Sequence, residues 1–264
     1  MKMYCILELR ATTEDKLKEL LEQRKQDLEQ RYKDKIKLLG SGEPKKEQVW
    51  YISFLEAEYF PRDLADLVMF VAAESPAYLE LDGEDLECSA EELSRILTAV
   101  AASYYKLKKF LNLSTLAYTE QGNSRWITPE LAEDLCLTDK EVKLVELGCE
   151  VHVAEPSEEY IKPLFTVLDD FLPCGYSVDR SAADGPGYVL AVRVQGICRK
   201  ISTLFYLIIT YCPVFLQIHR PDYLKIPLSE LQEGLNSLAS MLATAKAMLE
   251  LRLQTKFRQR GQVQ

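Results

Sequence analysis

The strongest constraint on the fold is an internal repeat. Residues 62–81 and 199–218 align without a gap at a constant offset of 137. The identical pairs are Arg62/Arg199, Leu67/Leu204, Pro76/Pro213 and Leu79/Leu216. Both segments predict an apolar helix that ends before the Pro, because Pro disfavours the α conformation in the preceding residue, and then a short alternating strand. This self-similarity predicts a duplicated unit, although two unrelated α+β segments with the same hydrophobic rhythm would explain part of it.

The similarity extends in both directions. Upstream, Cys5–Leu9 and Cys149–Val153 predict a strand, after which Thr12 or Thr13 and Ser157 are candidate helix caps. A strand or turn is predicted around 36–39 in the first copy and 176–178 in the second, followed by a long strand at 49–55 and 188–194. Downstream, Ser89 and Pro227 each precede a long amphipathic helix. The expected fold is therefore α+β, with two tandem copies of a β-α-β-β-α-β-β-α module.

The predicted domains are a first module at 1–115, a partly helical linker at 116–146, and a second module at 147–264 that ends in a basic tail. Within the linker, Thr128-Pro129-Glu130 is typical of a helix start, and Thr138 with Glu141 has the spacing of a capping box. Gly122-Asn-Ser indicates a turn. One long strand over Val142–Val153, continuing through Gly148, is the alternative for the end of this region.

Composition excludes several classes of protein. The net charge of −9 and pI of about 5.0 make nucleic acid a poor partner, because phosphate backbones select basic surfaces. The four cations of the tail are interpreted as a solvated helix end: Arg252, Lys256, Arg258 and Arg260. The longest apolar stretch, 201–218, is interrupted by Pro213, so no membrane span is predicted. The N-terminal apolar run is too short and too charged for a signal peptide.

Seven cysteines are scattered along the chain without a CxxC motif. This pattern favours small buried side chains in a reducing compartment over a disulfide framework, and predicts a cytoplasmic protein. No nucleophile, Walker or Rossmann motif occurs, and His152 and His219 have no partner at metal-ligand spacing. The sequence therefore predicts no catalytic residue, no metal site and no cofactor. The acidic turn at 82–85 is interpreted as a β-hairpin turn, and His219 as an exposed residue in the matching turn.

The first predicted helix, from Thr13 to about Lys35, carries dense charges of both signs and a narrow apolar stripe. Such a pattern is typical of a helix on the outside of a module. A solvated surface helix is favoured over an arm that meets a partner, because charge runs usually face water.

The segment Ala73-Glu-Ser-Pro-Ala-Tyr-Leu-Glu-Leu-Asp-Gly-Glu-Asp-Leu86 and the order of elements resemble the type III secretion chaperone-like fold, including its YbjN-like group. The resemblance covers about 13–110 and, more weakly, 156–255. It implies a module that dimerises and binds extended or amphipathic partner segments without catalysis, so that a tandem would be such a dimer within one chain. The leading strands at Cys5 and Cys149 and the helical linker depart from that pattern.

The sequence thus favours a non-enzymatic protein- or peptide-binding protein that acts through hydrophobic surfaces, with self-association possible. The alternative is an enzyme of unfamiliar type, with a site between the copies that gathers groups such as His152, His219, Asp222 and Glu8. A structural subunit of a larger assembly is a third hypothesis.

Overall fold

The computed structural model describes residues 1–111, 126–185 and 187–261, with side chains as far as 249. Helices and strands are mixed along the chain, which confirms the predicted α+β class. The first half contains β1 (Lys2–Ala11), α1 (Glu14–Tyr32), β2 (Ile36–Ser41), β3 (Lys45–Glu47), β4 (Trp50–Tyr59), α2 (Leu64–Glu74), β5 (Tyr78–Asp82), β6 (Leu86–Ser89) and α3 (Ala90–Phe110). Then follow α4 (Pro129–Thr138), β7 (Lys143–Val153), α5 (Glu158–Ile161), β8 (Phe171–Asp184), β9 (Gly187–Cys198), α6 (Ile201–Tyr211), β10 (Phe215–Arg220), β11 (Tyr223–Ile226) and α7 (Leu228–Gly261).

Contacts group the chain into two compact units. The first combines Met1–Asp85 with Leu235–Thr244, and the second combines Leu86–Gly234 with Ala245–Gln264. We call α3 and α7, the long helices that end the two halves, the closing helices. Each is grouped with the sheet of the other half: α3 with the second sheet, and the central part of α7 with the first. The predicted boundaries at 115 and 147 describe sequence copies rather than these units, and they stay a prediction.

The first unit contains an antiparallel sheet in the order β2-β4-β1-β5, with β3 also paired to β4. Alternate side chains of β1, such as Met3, Cys5 and Leu7, are buried in the core. Helix α1 begins at the N-cap Thr13 and buries only Leu17, Leu21 and Leu28. Its narrow apolar stripe is therefore confirmed as the part of the helix that meets the core.

A buried carboxylate attaches α1 to the end of α2. The Glu74 side chain is fully buried and accepts hydrogen bonds from Arg24, from Arg31 at 2.9 Å and from the Tyr32 hydroxyl at 2.5 Å. Burial and the adjacent carboxylate raise the pKa of Tyr32, so this hydroxyl stays a donor. The charged face of α1 is thus used inside the unit as well as towards water.

The second unit contains an antiparallel sheet in the order β10-β7-β9-β8. Strand β7 runs unbroken through Gly148, so the long-strand alternative is confirmed. Helix α4 is capped by Thr128 and covers part of the sheet through a small cluster: Ala132, Val142, Leu144, Cys174 and Ile197.

Two local predictions are wrong. Strands β5 and β6 do not pair across the turn at 82–85, and β10 and β11 do not pair across theirs; instead β6 pairs with β11, with Glu87 opposite Lys225. Turn residues predict that the chain bends, but the partner of a strand depends on distant contacts. Thr138 ends α4 instead of capping a new helix, and the Glu141 amide bonds Asp139. A helix does begin after Ser157, as predicted, and it is a single α turn continued by a 3-10 turn.

Side chains from the closing helices satisfy the outer edges of both sheets. In the second unit the Thr98 hydroxyl bonds both the amide and the carbonyl of Leu216, at 3.1 and 2.9 Å, and Ser94 accepts from the Ile218 amide at 2.8 Å. In the first unit the Asn236 side chain bonds the amide and carbonyl of Leu79, both at 3.0 Å. Leu79 and Leu216 are an identical pair of the repeat. Each edge strand therefore meets a helix instead of another strand.

Replacing Asn236 tests this edge contact. We expect Asn236→Ala to lower the free energy of unfolding by about 2 kcal/mol, because two backbone groups of Leu79 lose their partner. Asn236→Asp keeps an acceptor for the amide but no donor for the carbonyl, so it should lower the free energy of unfolding by less than Asn236→Ala does. Urea unfolding measures both, with Ser240→Ala, an exposed site on the same helix, as the control. Equal stability of all variants would contradict the role of Asn236.

The C-termini of α2 and α6 share an unusual conformation. Ser75 and Cys212, each before a Pro, adopt left-handed backbone angles with φ of 48° and 47°. Both helices thus end directly before the Pro, as the repeat predicts. Among the residues described, no helix is long and apolar enough to span a membrane.

Candidate functional site

A chain of charged side chains crosses the face of the second sheet opposite its core. The His219 Nε2 atom lies 3.1 Å from Glu146 Oε2, the Arg193 Nη1 atom lies 3.8 Å from Glu146 Oε1, and Arg193 Nε donates to Asp179 Oδ2 at 2.7 Å. These four residues come from β10, β7, β9 and β8, so the chain crosses all four strands of the sheet. We refer to it as the charged row of the second unit.

Phe215 lies beside this row. Its ring covers Gly148, where any side chain would overlap the ring, and the Arg193 guanidinium carbon is 5.8 Å from the ring centroid. The glycine in the middle of β7 therefore has a packing reason, because it leaves room for an aromatic residue of the neighbouring edge strand. Phe215 is held between the sheet and a cation.

An open cleft of about 820 Å³ begins at this edge. One wall is the N-terminal half of α3, and the other is β10 with the turn that follows it. Its lining includes Arg95, Thr98, Phe215, His219 and Tyr223. The volume is within the range of sites that bind ligands or peptides, and the mixture of aromatic, polar and charged groups gives both contact area and orientation.

Tyr223 is the most exposed of the large hydrophobic side chains described, at 79% of its full accessibility, while its neighbours Leu224 and Ile226 are buried. Strand β11 thus turns a tyrosine outward at the mouth of the cleft. Tyrosine combines a large apolar surface with a hydroxyl, and it is enriched where proteins bind one another.

The structure brings together only part of the set suggested for an enzyme. His219 and Asp222 both line the cleft. His152 lies six residues beyond Glu146 on β7, a distance of about 20 Å along an extended strand, and its nearest carboxylate is Asp184 at 3.7 Å. Glu8 belongs to the first unit and pairs with Arg10. His219 itself ends a strand and is half-buried, so the prediction of an exposed turn histidine is wrong.

The cysteines are free thiols, and all but the half-buried Cys136 are buried. Burial raises the pKa of Cys174 and of Cys212 to about 11, and that of Cys198 to about 12. A thiol whose pKa lies that far above neutrality provides little thiolate for nucleophilic attack. Across the described side chains, no group of three or more His, Cys, Asp or Glu residues is arranged to hold a metal ion.

The first unit carries a similar row of charged side chains. Lys2 on β1 pairs with Glu58 on β4 at 3.2 Å and with Asp82 on β5 at 3.7 Å, and Lys37 on β2 lies 3.7 Å from Glu58. In both rows basic and acidic side chains alternate across the four strands of the sheet.

A protein-family profile matches almost the whole chain. Residues 2–250 match the profile of the MJ0538 family. The chain belongs to the MJ0538 family. The matched region begins at β1 and ends inside α7, so both charged rows and the cleft lie within the part shared with this family. No curated protein and no solved structure matches the chain.

Proposed function

We propose that this member of the MJ0538 family is a non-enzymatic protein-binding protein that takes an extended segment of its partner into the cleft beside β10. The observation that carries the proposal is the exposed Tyr223 at the mouth of a cleft whose wall is an edge strand. A groove beside a strand can recognise an extended peptide through pockets for alternate side chains of that peptide.

The side chains along β10 support this mode of binding. The outward backbone groups of Leu216 and Ile218 are occupied by hydroxyls of α3, so the cleft would recognise a peptide through its side chains. A peptide continuing along this edge would meet Phe215 and His219 on one side and Arg95 on the other. The pair of His219 with Glu146 orients a polar side chain at the wall without requiring any chemistry from it.

We also propose that the two halves are tandem copies that form a dimer-like arrangement within one chain, in line with the resemblance to chaperone-like modules. Support comes from the matched left-handed residues Ser75 and Cys212, from the reciprocal edge contacts, and from the alternating charged row on each sheet. The strands β6 and β11, which occupy the same place in the two copies, pair with Glu87 opposite Lys225. The reduced, buried cysteines fit a cytoplasmic location.

Peptide selection on the purified full chain tests the binding role. Extended peptides displayed on phage should enrich on the wild-type protein, and Tyr223→Ala should weaken their binding by about tenfold or more, because an exposed aromatic at the centre of a contact typically contributes that much. Tyr160→Ala removes a tyrosine of intermediate exposure, 41%, from α5 and is the control. The proposal fails if no sequence enriches, or if the Tyr223 and Tyr160 variants bind the selected peptides equally well.

A further inference from the structure

The face of the first sheet opposite its core is partly apolar. Five of its side chains remain half-buried or exposed on strands β1, β4 and β5: Tyr4, Ile6, Ile52, Phe54 and Tyr78. Tyr78 alone keeps 44% of its accessible surface. A sheet face of this kind leaves aromatic surface accessible to a further layer, and helices are the usual covering of such faces.

Carboxylates outnumber cations on the same face. The acids are Glu8, Glu47, Glu56, Glu58, Glu80 and Asp82, and the cations are Lys2, Arg10, Lys37 and Lys45. Lys2, Arg10 and Lys37 each lie within 4 Å of one of these acids. Glu56 and Glu80 have no ion pair among the described residues, and burial together with Glu56 raises the pKa of Tyr4, which places this carboxylate beside an aromatic ring. The face therefore offers uncompensated negative charge next to apolar surface.

The end of the chain has the complementary chemistry. The net charge is −9, and residues 251–264 carry four cations and no acid, so the first 250 residues carry −13. The sequence of this segment interleaves apolar residues with the cations, among them Leu251, Leu253 and Phe257. Helix α7 has 34 residues and α3 has 21, so the basic segment coincides with an extension that the first half lacks. The family match also stops at 250.

The path of α7 determines whether its basic end can reach this face on its own chain or only on another chain. Leu235–Thr244 packs in the first unit, and the helix continues to Gly261 without a break. Seventeen further residues at 1.5 Å each carry the chain about 25 Å along the helix axis. A straight helix cannot turn back onto the unit that holds its own middle, so a segment that meets this face has to come from another molecule.

We propose that the basic end of α7 from a second copy of the chain docks on the acidic, aromatic face of the first sheet, near Tyr78, Glu56 and Glu80. Two chains that exchange these segments close into a dimer, because each provides one face and one basic helix end. Cations of the segment compensate Glu56 and Glu80, and its apolar residues cover the aromatic side chains. The interaction is independent of the cleft beside β10.

Sedimentation velocity on the full chain tests the dimer. At about 50 mM NaCl the wild-type protein should dimerise in the micromolar range, and the dissociation constant should rise by about tenfold or more at about 500 mM NaCl, where exposed charges are screened. Glu56→Gln with Glu80→Lys, and separately Arg252→Glu with Lys256→Glu, should each weaken dimerisation at least as much. The control is Glu19→Gln with Glu29→Lys, which changes charge equally on the exposed side of α1. A chain that stays monomeric at low salt, or that dimerises equally with either variant, overturns the proposal.

Photo-crosslinking locates the contact without relying on stability. Tyr78→p-benzoylphenylalanine in a mixture of ¹⁵N-labelled and unlabelled chains should crosslink to peptides from 249–260, and the products should combine both isotopes. Crosslinks to this segment that never mix isotopes would place it on its own chain and overturn the proposal. Crosslinks to other parts of the protein only would also overturn it.

Discussion

Glu74→Ala should lower the free energy of unfolding by about 3 kcal/mol, the low end of what breaking a buried ion pair usually costs. Glu74 is completely buried and holds Arg24, Arg31 and Tyr32 of α1. Removal of the carboxylate leaves three donors without their acceptor. The expected loss is at the low end because the two arginines are 25% and 54% exposed and can regain water.

Two further substitutions separate the reasons for that loss. Glu74→Gln keeps the size and one acceptor but removes the charge, so it should lose less than Glu74→Ala. Glu29→Ala changes an exposed carboxylate of α1 and should stay within about 0.5 kcal/mol of the wild-type protein. Chemical denaturation followed by circular dichroism measures all three. Equal effects of Glu74→Ala and Glu29→Ala would show that the buried carboxylate does not hold α1.

Gly148→Val should remove Phe215 from its place and with it one wall of the cleft. A side chain at 148 would overlap the Phe215 ring. The ring cannot move towards the sheet, because Gly148 lies in the inner strand β7 directly beneath it. The ring therefore has to leave the sheet, at an expected stability loss of about 1–3 kcal/mol from overpacking. Binding of peptides selected for the cleft should fall by about tenfold or more, because Phe215 lines it.

Gly175→Val is the matched control on the same sheet. Nothing lies within 4 Å of a Cβ atom added at 175 on β8, and valine suits a strand better than glycine. Stability and peptide affinity should therefore stay close to those of the wild-type protein. If Gly148→Val binds the selected peptides as well as Gly175→Val does, Phe215 has no part in the cleft.

The elements that follow local rules were predictable from the sequence. Thr13 and Ser89 cap α1 and α3 through backbone amides three residues on, as their spacing predicts. The Pro after Ser75 and after Cys212 ends a helix in both halves. Alternation of side chains located strands β1, β4, β7 and β9, although β8 extends to 14 residues, far beyond the short element predicted around 176–178.

Most of what forms the site could not be predicted. The partner of β6 is a strand more than 130 residues away, and neither turn chemistry nor periodicity carries information about such a pairing. Nothing in the sequence distinguishes Glu146, Arg193 and Asp179 from other charged residues on the outer face of a strand. Only the register of the sheet places them side by side. Gly148 was the one available signal, since a glycine inside a predicted strand often marks a close approach. The basic tail and the turn at Gly122 lie outside the described side chains.

The exchange of closing helices affects how the chain is made. Leu79 obtains its edge contact from Asn236, 157 residues later, and Leu216 obtains its contact from Thr98, which is synthesised long before it. During translation the edge of the first sheet stays uncovered until α7 has been synthesised. Helix α3 likewise has no edge strand to contact until β10 has been synthesised. Contacts this distant slow folding and expose strand edges to neighbouring chains. Early release of a truncated chain would therefore be a route to aggregation, and the final helix works as the step that completes both halves.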